Sequence, residues 1–141
     1  MMTEDYFSAA ARHYVDSELL LANKRFDNAG YLAGYTVECC FKAIILHGSR
    51  RHPRQYGHDL TALGGVALDL ALLLSPSQRR YRSDMISEIL QAVGDWDPQW
   101  RYSRTGSIPT ERAKDLIGTA EKAFRNLIIP LVLDGWGEVH S

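Results

Sequence analysis

A histidine that ends a basic segment is the residue whose type and setting could do chemistry. From Cys39 to His58 the sequence contains no acidic residue, but it contains three arginines. A histidine titrates near neutral pH, so His58 could remove or return the proton of a ribose 2′-hydroxyl or a leaving oxygen. Arg51 or Arg54 could hold a phosphate and its developing charge. These types suit metal-free RNA cleavage; alternatively, His58 only starts a helix and bonds to backbone.

Two charges stand inside the apolar stretch from Ala29 to Leu46, and they are spaced one helical turn apart. Glu38 followed by Lys42 forms an i,i+4 pair in the favourable order. A charge enclosed by other helices is costly unless it is paired and hydrogen-bonded. The pair is therefore either a structural tie within a bundle or the floor of a polar cleft.

A second group of cations and aromatic rings lies between Gly94 and Pro109. Arg101 and Arg104 are available for an anion such as a phosphate, or they belong to an ordinary solvated surface. The aromatic residues of this segment either cover the core or form a binding surface on which a base can stack: Trp96, Trp100 and Tyr102.

Sequence motifs exclude several familiar enzyme classes. The chain has no phosphate-binding glycine loop and no HExxH, CxxC or GxSxG motif. His47, His52 and His58 lie near one another in sequence, but they have no accompanying carboxylate or thiolate cluster, which disfavours a zinc site. We therefore predict neither a metal nor a cofactor.

Composition indicates one soluble domain spanning residues 1–141. The net charge of -1 argues against a surface that is basic overall. The two cysteines, Cys39 and Cys40, are neighbours whose side chains diverge on a helix, so we expect reduced core thiols. The N-terminus lacks the pattern of a secretion signal, and the long apolar stretch carries two charges. The expected location is the cytoplasm, without membrane association.

Apolar periodicity predicts an all-α fold, an up-and-down bundle of four long helices plus a short one. The first two helices run from Glu4 to Asn23 and from a cap at Asp27 or Asn28 to about His47. The second, nearly all apolar, should be the central packing helix. Its Gly30 and Gly34 predict close approach of another backbone.

Capping and helix-breaking residues predict the bounds of the later helices. After an exposed basic loop from Gly48 to Gly57, Asp59 caps a helix from Leu60 that Gly64-Gly65 should interrupt before Leu74. The remaining predictions are a helix from about Ser77 to Val93, a last helix from near Pro109 that Pro130 kinks or ends, and a frayed tail.

The layout of these segments resembles a HEPN domain. The resemblance rests on the helix AGYLAGYTVECCFKA coupled to GHDLTAL, with WRYSR later, and it covers Tyr6 to Leu131. It implies a small helical bundle that forms homodimers, often within prokaryotic defence or toxin-antitoxin systems. Some similar proteins are metal-independent RNases, and others are non-catalytic nucleotide-binding or interaction domains.

The resemblance also suggests site residues. The catalytic signature of such RNases is an arginine and a histidine with four to six residues between them, and Arg51 with His58 matches the widest spacing, with six intervening residues. Pro53 and Gly57 lie between them, so the pair stands in a loop. The resemblance thus implies His58 and Arg51 as catalytic, with phosphate or nucleotide binding by a wider set: Arg54, Arg101, Arg104, Tyr102, Lys42 and Glu38.

Two functions follow. The first is a metal-independent endoribonuclease, or another protein that binds RNA or nucleotide phosphates, in which Glu38 and Lys42 orient the cleft. The second is a non-catalytic module that binds a nucleotide or a partner such as a nucleotidyltransferase-like protein. Convergence of Arg51, His58, Arg101 and Glu38 in one cleft would favour the first.

Overall fold

Six α-helices form the described part of the chain, which the computed structural model gives for residues 4–49, 52–74 and 81–140. Their bounds are α1 Tyr6–Ala22, α2 Phe26–Ser49, α3 Leu60–Leu74, α4 Ser83–Ala92, α5 Thr110–Ala123 and α6 Ile129–Leu133. The shorter helical segments are two 3₁₀ turns and one π-helical turn: Pro53–Tyr56, Pro98–Tyr102 and Phe124–Ile128. These described residues contain no β-strand. The prediction of an all-α bundle is confirmed.

Helix α2 lies at the centre of the bundle, where it packs against α1, α3 and α5. Its apolar side chains Val37, Phe41 and Ile45 are almost fully buried. Cys39 and Cys40 are free and buried, as predicted, and burial raises the pKa of the Cys39 thiol to about 12. Among the described helices, α2 alone is long and apolar enough to cross a membrane, but 78% of its most apolar window is buried inside the fold. This burial is typical of a core helix in a bundle.

Two glycines of α2 admit close neighbours, as their spacing predicted. Gly30 faces α5, where an added Cβ would lie 3.3 Å from Ile108 and 3.4 Å from Leu116. At Gly34 the neighbour is a side chain rather than a backbone, because the Trp96 indole occupies the position of the missing Cβ. Trp96 is 6% exposed and its Nε1 donates to the Tyr31 carbonyl over 3.1 Å.

We expect Gly34→Ala to lower the free energy of unfolding by about 3 kcal/mol, since a methyl group there would displace the indole. Gly118→Ala is the matched control: this glycine is exposed in α5 with nothing within 4 Å of an added Cβ. The control should gain about 0.5–1 kcal/mol in helix propensity. Urea denaturation of both variants checks the prediction, and equal stability of the two would contradict it.

Helix α3 is continuous, so the predicted interruption at Gly64-Gly65 is wrong. Asp59 caps it as expected, with its carboxylate accepting from Ala62 N–H over 3.1 Å. An added Cβ at Gly64 would lie 2.9 Å from Leu90 and 3.3 Å from Phe41. Gly64 is therefore the contact point where α4 and α2 approach α3, and close packing compensates for its low helix propensity.

Helix α4 begins later than predicted. The expected start at Ser77 lies outside the described residues, and Tyr81 and Arg82 are not helical. Arg82 adopts a left-handed conformation, with φ 48°, immediately before the first helical residue, Ser83. A non-glycine residue in that region interrupts a right-handed helix, which is why α4 starts at Ser83.

The C-terminal predictions need two corrections. Pro130 does not end the helical segment at once; the chain widens into the π-helical turn Phe124–Ile128 just before it and then continues to Leu133. This widening accommodates the missing N–H and the bulk of the ring. The tail is not frayed within the described residues: Gly137 packs on Phe7, and His140 N–H donates to Ser8 Oγ over 2.6 Å.

Candidate functional site

His58 is placed by the short connection between α2 and α3. Pro53 starts a 3₁₀ turn, and Gly57 follows it with φ 53° and ψ -123°, a conformation that a side chain would disfavour. Asp59 then caps α3. The imidazole is thus held between a tight turn and a helix start, over the middle of α2.

A buried carboxylate connects two other polar side chains at this point. Glu38 is 3% exposed, and its Oε1 lies 2.9 Å from His58 Nδ1. Its Oε2 accepts from Lys42 Nζ over 3.2 Å. Both oxygens therefore have partners, as a buried carboxylate requires. Glu38 and Lys42 form the predicted i,i+4 pair, and the pair also contacts the histidine.

The contact with Glu38 orients the His58 ring. An ionised carboxylate can only accept, so Nδ1 carries the hydrogen and the Nε2 of the neutral ring keeps its lone pair. The His58 side chain is 49% exposed, whereas that of Glu38 is buried. Nε2 therefore lies on the solvent side as a proton acceptor. A group held in this way can act as a general base.

Aromatic rings frame the histidine on the side of α2. The Tyr35 ring packs edge-on against the His58 ring, with 5.6 Å between centroids. It also packs edge-on against the Trp96 ring, with 5.1 Å between centroids. Burial is the main cause that raises the Tyr35 pKa, so its hydroxyl stays protonated at neutral pH. These contacts restrict the motion of the His58 ring.

Arg101 reaches the same aromatic group from the second long connection. The nearby Tyr31 hydroxyl is the first cause that raises the Arg101 pKa, and the Tyr31 ring packs edge-on against Tyr35 at 5.0 Å between centroids. The Arg101 guanidinium also lies 4.8 Å from the Tyr102 ring centroid. A chain of contacts thus joins Arg101 to His58 through two tyrosines. Tyr102 itself is 72% exposed.

Arg54 points away from the histidine and toward the N-terminal end of α1. Its Nε lies 3.2 Å from Glu4 Oε1, while His52 Nε2 lies 2.7 Å from Glu4 Oε2. The Tyr6 hydroxyl donates to the same carboxylate, and this hydrogen bond is the first cause that lowers the Glu4 pKa. Arg54 is therefore part of an ion-pair cluster that joins the basic connection to the segment preceding α1.

The other suggested residues are dispersed. Arg51 lies outside the described residues. Arg104 is exposed in the connection after Pro98–Tyr102, and it forms no ion pair within the part of the chain that the structure describes. The structure therefore brings together His58, Glu38 and Lys42, and it links Arg101 to them indirectly.

Sequence reasoning missed Tyr31, Tyr35 and His13. The available signal was the spacing of Tyr31, Tyr35, Glu38 and Lys42, which alternates between four and three residues and puts all four on one face of α2. His13 of α1 lies 6.0 Å from the Tyr35 ring, and burial lowers its pKa. This face is a polar stripe on an otherwise apolar helix.

A cavity of about 410 Å³ opens beside His58. Its wall includes Asp59, Thr61, Trp96 and Asp97. The acceptors and the indole suit a nucleobase better than a phosphate, because carboxylates repel anions and accept from amino groups. Among the described residues, no group of three or more His, Cys, Asp or Glu side chains is placed to hold a metal ion.

Comparison with known families identifies the class of protein that this bundle defines. The family model of the HEPN domain matches residues 3–127, and the chain belongs to this family. HEPN domains often bind RNA or act as nucleases, and they commonly dimerise. Searches of curated proteins and of solved structures gave no match.

Proposed function

We propose that this HEPN protein is a metal-independent endoribonuclease in which His58 is the acid–base residue. The observation that supports this proposal is the Glu38–His58 contact of 2.9 Å. With Nδ1 donating to the carboxylate, Nε2 is the ring atom left to accept a proton. A buried carboxylate that fixes the ring and tautomer of a half-exposed histidine is an arrangement suited to proton transfer. A histidine that served only to start α3 would not need a buried carboxylate.

In the proposed reaction, His58 Nε2 accepts the proton of a ribose 2′-hydroxyl. The 2′-oxygen forms a bond to phosphorus, and the bond from phosphorus to the 5′-oxygen breaks. The leaving 5′-oxygen takes a proton from water, and the imidazolium releases its proton to solvent. The products are a 2′,3′-cyclic phosphate and a 5′-hydroxyl.

Arginines supply the charge that the phosphate requires. We assign this role to Arg101, which the two tyrosines connect to His58, and to Arg51, on the signature of similar RNases. A guanidinium holds two phosphate oxygens at once and stabilises the charge that develops on them. Glu38 and Lys42 then position His58 and do not contact the phosphate.

The test is incubation of the purified protein with mixed RNA in EDTA, with Arg51→Ala and a 2′-O-methylated RNA as comparisons. We expect cleavage of RNA, none of the methylated strand, and fragments that end in a cyclic phosphate. Slower cleavage by Arg51→Ala at matched folding would support its role. Absence of cleavage by the wild type, or cleavage of the methylated strand, would contradict the proposal.

A second candidate is a non-catalytic module that binds RNA, a nucleotide or a nucleotidyltransferase-like partner. One observation favours it: among the described residues no arginine hydrogen-bonds to His58, and Arg54 is engaged by Glu4. Under this function the protein would bind RNA or a nucleotide without changing it. Unaltered RNA recovered from a complex in EDTA would favour the module over the nuclease.

We also propose that the working form is a homodimer in the cytoplasm, and that the protein is the toxin of a toxin–antitoxin or defence pair. The support is membership of a family that commonly dimerises. Sedimentation velocity tests the first statement, and growth arrest on expression of the wild type but not of His58→Ala tests the second. A monomer at micromolar concentration, or harmless expression, would contradict them.

A further inference from the structure

A second cavity is lined by residues of the 3₁₀ turn Pro98–Tyr102, which also borders the cavity at His58. Its volume is about 350 Å³, and it opens between the α1–α2 turn and the connection that leads to α5. The wall of this cavity includes three cations and two aromatic rings: Lys24, Arg25, Arg101, Phe26 and Trp100.

Local structure holds both sides of this cavity in place. Lys24 has a left-handed backbone, with φ 60°, and its N–H donates to the Leu21 carbonyl over 3.0 Å, which closes the turn after α1. On the opposite side, the Asp27 carboxylate accepts from Gly106 N–H over 2.7 Å and from Ile108 N–H over 3.0 Å. The cap of α2 was predicted at Asp27 or Asn28; the helix instead starts at Phe26, and the Asp27 carboxylate holds the later connection.

The cavity carries an excess of positive charge. Lys24, Arg25 and Arg101 face one carboxylate, Asp27, whose oxygens already accept two backbone N–H groups. Lys24 and Arg25 form no ion pair within the described ranges of the chain. Three cations beside a single carboxylate leave an excess of positive charge that attracts an anion, and guanidinium groups suit the oxygens of a phosphate.

Aromatic surface accompanies the cations. Phe26 and Trp100 are partly buried, and Trp100 also packs on the core, so its ring is held rather than free. A fixed aromatic ring beside a basic groove is the usual arrangement for binding single-stranded nucleic acid, because a base stacks while the backbone phosphate is neutralised.

We propose that this cavity is a second subsite for single-stranded RNA, which binds one phosphate through Lys24 and Arg25 and stacks one base near Trp100. The inference deepens the proposed function and rests on RNA being the ligand. Arg101 lines the cavity and also contacts Tyr31, which leads to His58 through Tyr35. The Pro98–Tyr102 turn borders both cavities, so a strand that continues past it from this subsite would lead to His58.

The probe is a fluorescent 2′-O-methylated RNA decamer, which the proposed reaction cannot cleave. We expect Lys24→Glu/Arg25→Glu to weaken its binding by at least about tenfold and to reduce the slope of log affinity against log salt by about 1. Lys114→Glu/Arg125→Glu is the control with the same charge change, at two exposed positions on α5 and the following turn. The control should change affinity less than about twofold.

Two further arms locate the subsite and separate RNA from a free nucleotide. Binding of the decamer should quench tryptophan fluorescence in the wild type and much less in Trp100→Phe, a variant that preserves an aromatic ring. Nucleoside monophosphates should compete with the decamer only weakly. Equal weakening in both double variants, unchanged affinity in Lys24→Glu/Arg25→Glu, or equally tight binding of a monophosphate would overturn the subsite.

The outcomes distinguish this inference from the proposed nuclease function. If the wild type binds the decamer through Lys24 and Arg25 but cleaves no unmodified RNA, the subsite stands and the nuclease does not. If the wild type cleaves RNA and the double variant binds the decamer normally, the nuclease stands and the subsite is refuted.

Discussion

His58→Ala is expected to lower the rate of metal-free RNA cleavage by about 10²–10⁴-fold, the usual contribution of a positioned general acid or base. The imidazole Nε2 is the acceptor that faces solvent, and alanine leaves no group to take the 2′-hydroxyl proton. The side chain is 49% exposed, but its removal leaves Glu38 Oε1 without its partner, so the variant should still fold and lose about 1–3 kcal/mol of stability. Single-turnover cleavage measures the effect, and thermal unfolding monitored by circular dichroism verifies the fold.

His52→Ala is the matched control for that loss. This histidine stands in the same basic connection, but its Nε2 is engaged by Glu4 at the N-terminal end of α1. The His52→Ala variant should cleave RNA at close to the wild-type rate. Added imidazole should partly restore His58→Ala, since a free base can enter the space. A loss of similar size in both variants would indicate a damaged loop and contradict the assignment of the acid–base role.

The second large effect concerns the buried carboxylate. Glu38→Ala is expected to lower the free energy of unfolding by about 3–5 kcal/mol, because it leaves Lys42 buried without a counter-charge. Lys42 is only 8% exposed and its Nζ donates to Glu38 over 3.2 Å. Urea denaturation measures the loss. A change below about 1 kcal/mol would show that Lys42 reaches solvent when its partner is removed.

A double variant separates the two roles of Glu38. Glu38→Leu/Lys42→Leu removes both buried charges, so its stability should return to near that of the wild type. Its cleavage rate should remain low, because His58 has lost the acceptor that fixes the ring and tautomer. If the double variant cleaved RNA at the wild-type rate, Glu38 would have only a structural role.

Local patterns sufficed for much of the fold. The apolar run from Ala29 to Leu46 predicted a central helix, and α2 is that helix, because an element apolar on most sides has to be enclosed. Asp59 caps α3 as predicted, since capping depends on residues within one turn. The Glu38–Lys42 pair follows from i,i+4 spacing for the same reason.

The wrong predictions depend on partners distant in sequence. Gly64 looked like a break, but contact with Leu90 keeps α3 continuous. Asp27 looked like a cap, but its carboxylate binds backbone N–H groups about eighty residues away. The tail looked frayed, but it returns to Ser8 of α1. No local rule contains these pairings, because each is created by the packing of whole helices.

The candidate site also combines features that local sequence predicts with contacts between distant residues that it does not. Residue types and spacing identified His58, and they paired Glu38 with Lys42. The contact from Glu38 to His58 spans twenty residues and a turn whose path cannot be read from sequence. Arg54 was an equally good partner for His58 by spacing, yet Glu4 engages it. The spacing of the tyrosines places them on one face of α2, but their link from Arg101 to His58 depends on α2 and the Pro98–Tyr102 turn lying side by side.

The most direct measurement uses a DNA oligonucleotide that contains one ribonucleotide, incubated in EDTA with the wild type and with His58→Ala. We predict one cleavage, immediately 3′ of the ribonucleotide, with a 2′,3′-cyclic phosphate on the 5′ fragment, by the wild type and not by the variant. This result would require both the 2′-hydroxyl and the imidazole. An intact strand with the wild type, or equal cleavage by His58→Ala, would contradict the assignment of His58 as the acid–base residue of a metal-independent nuclease.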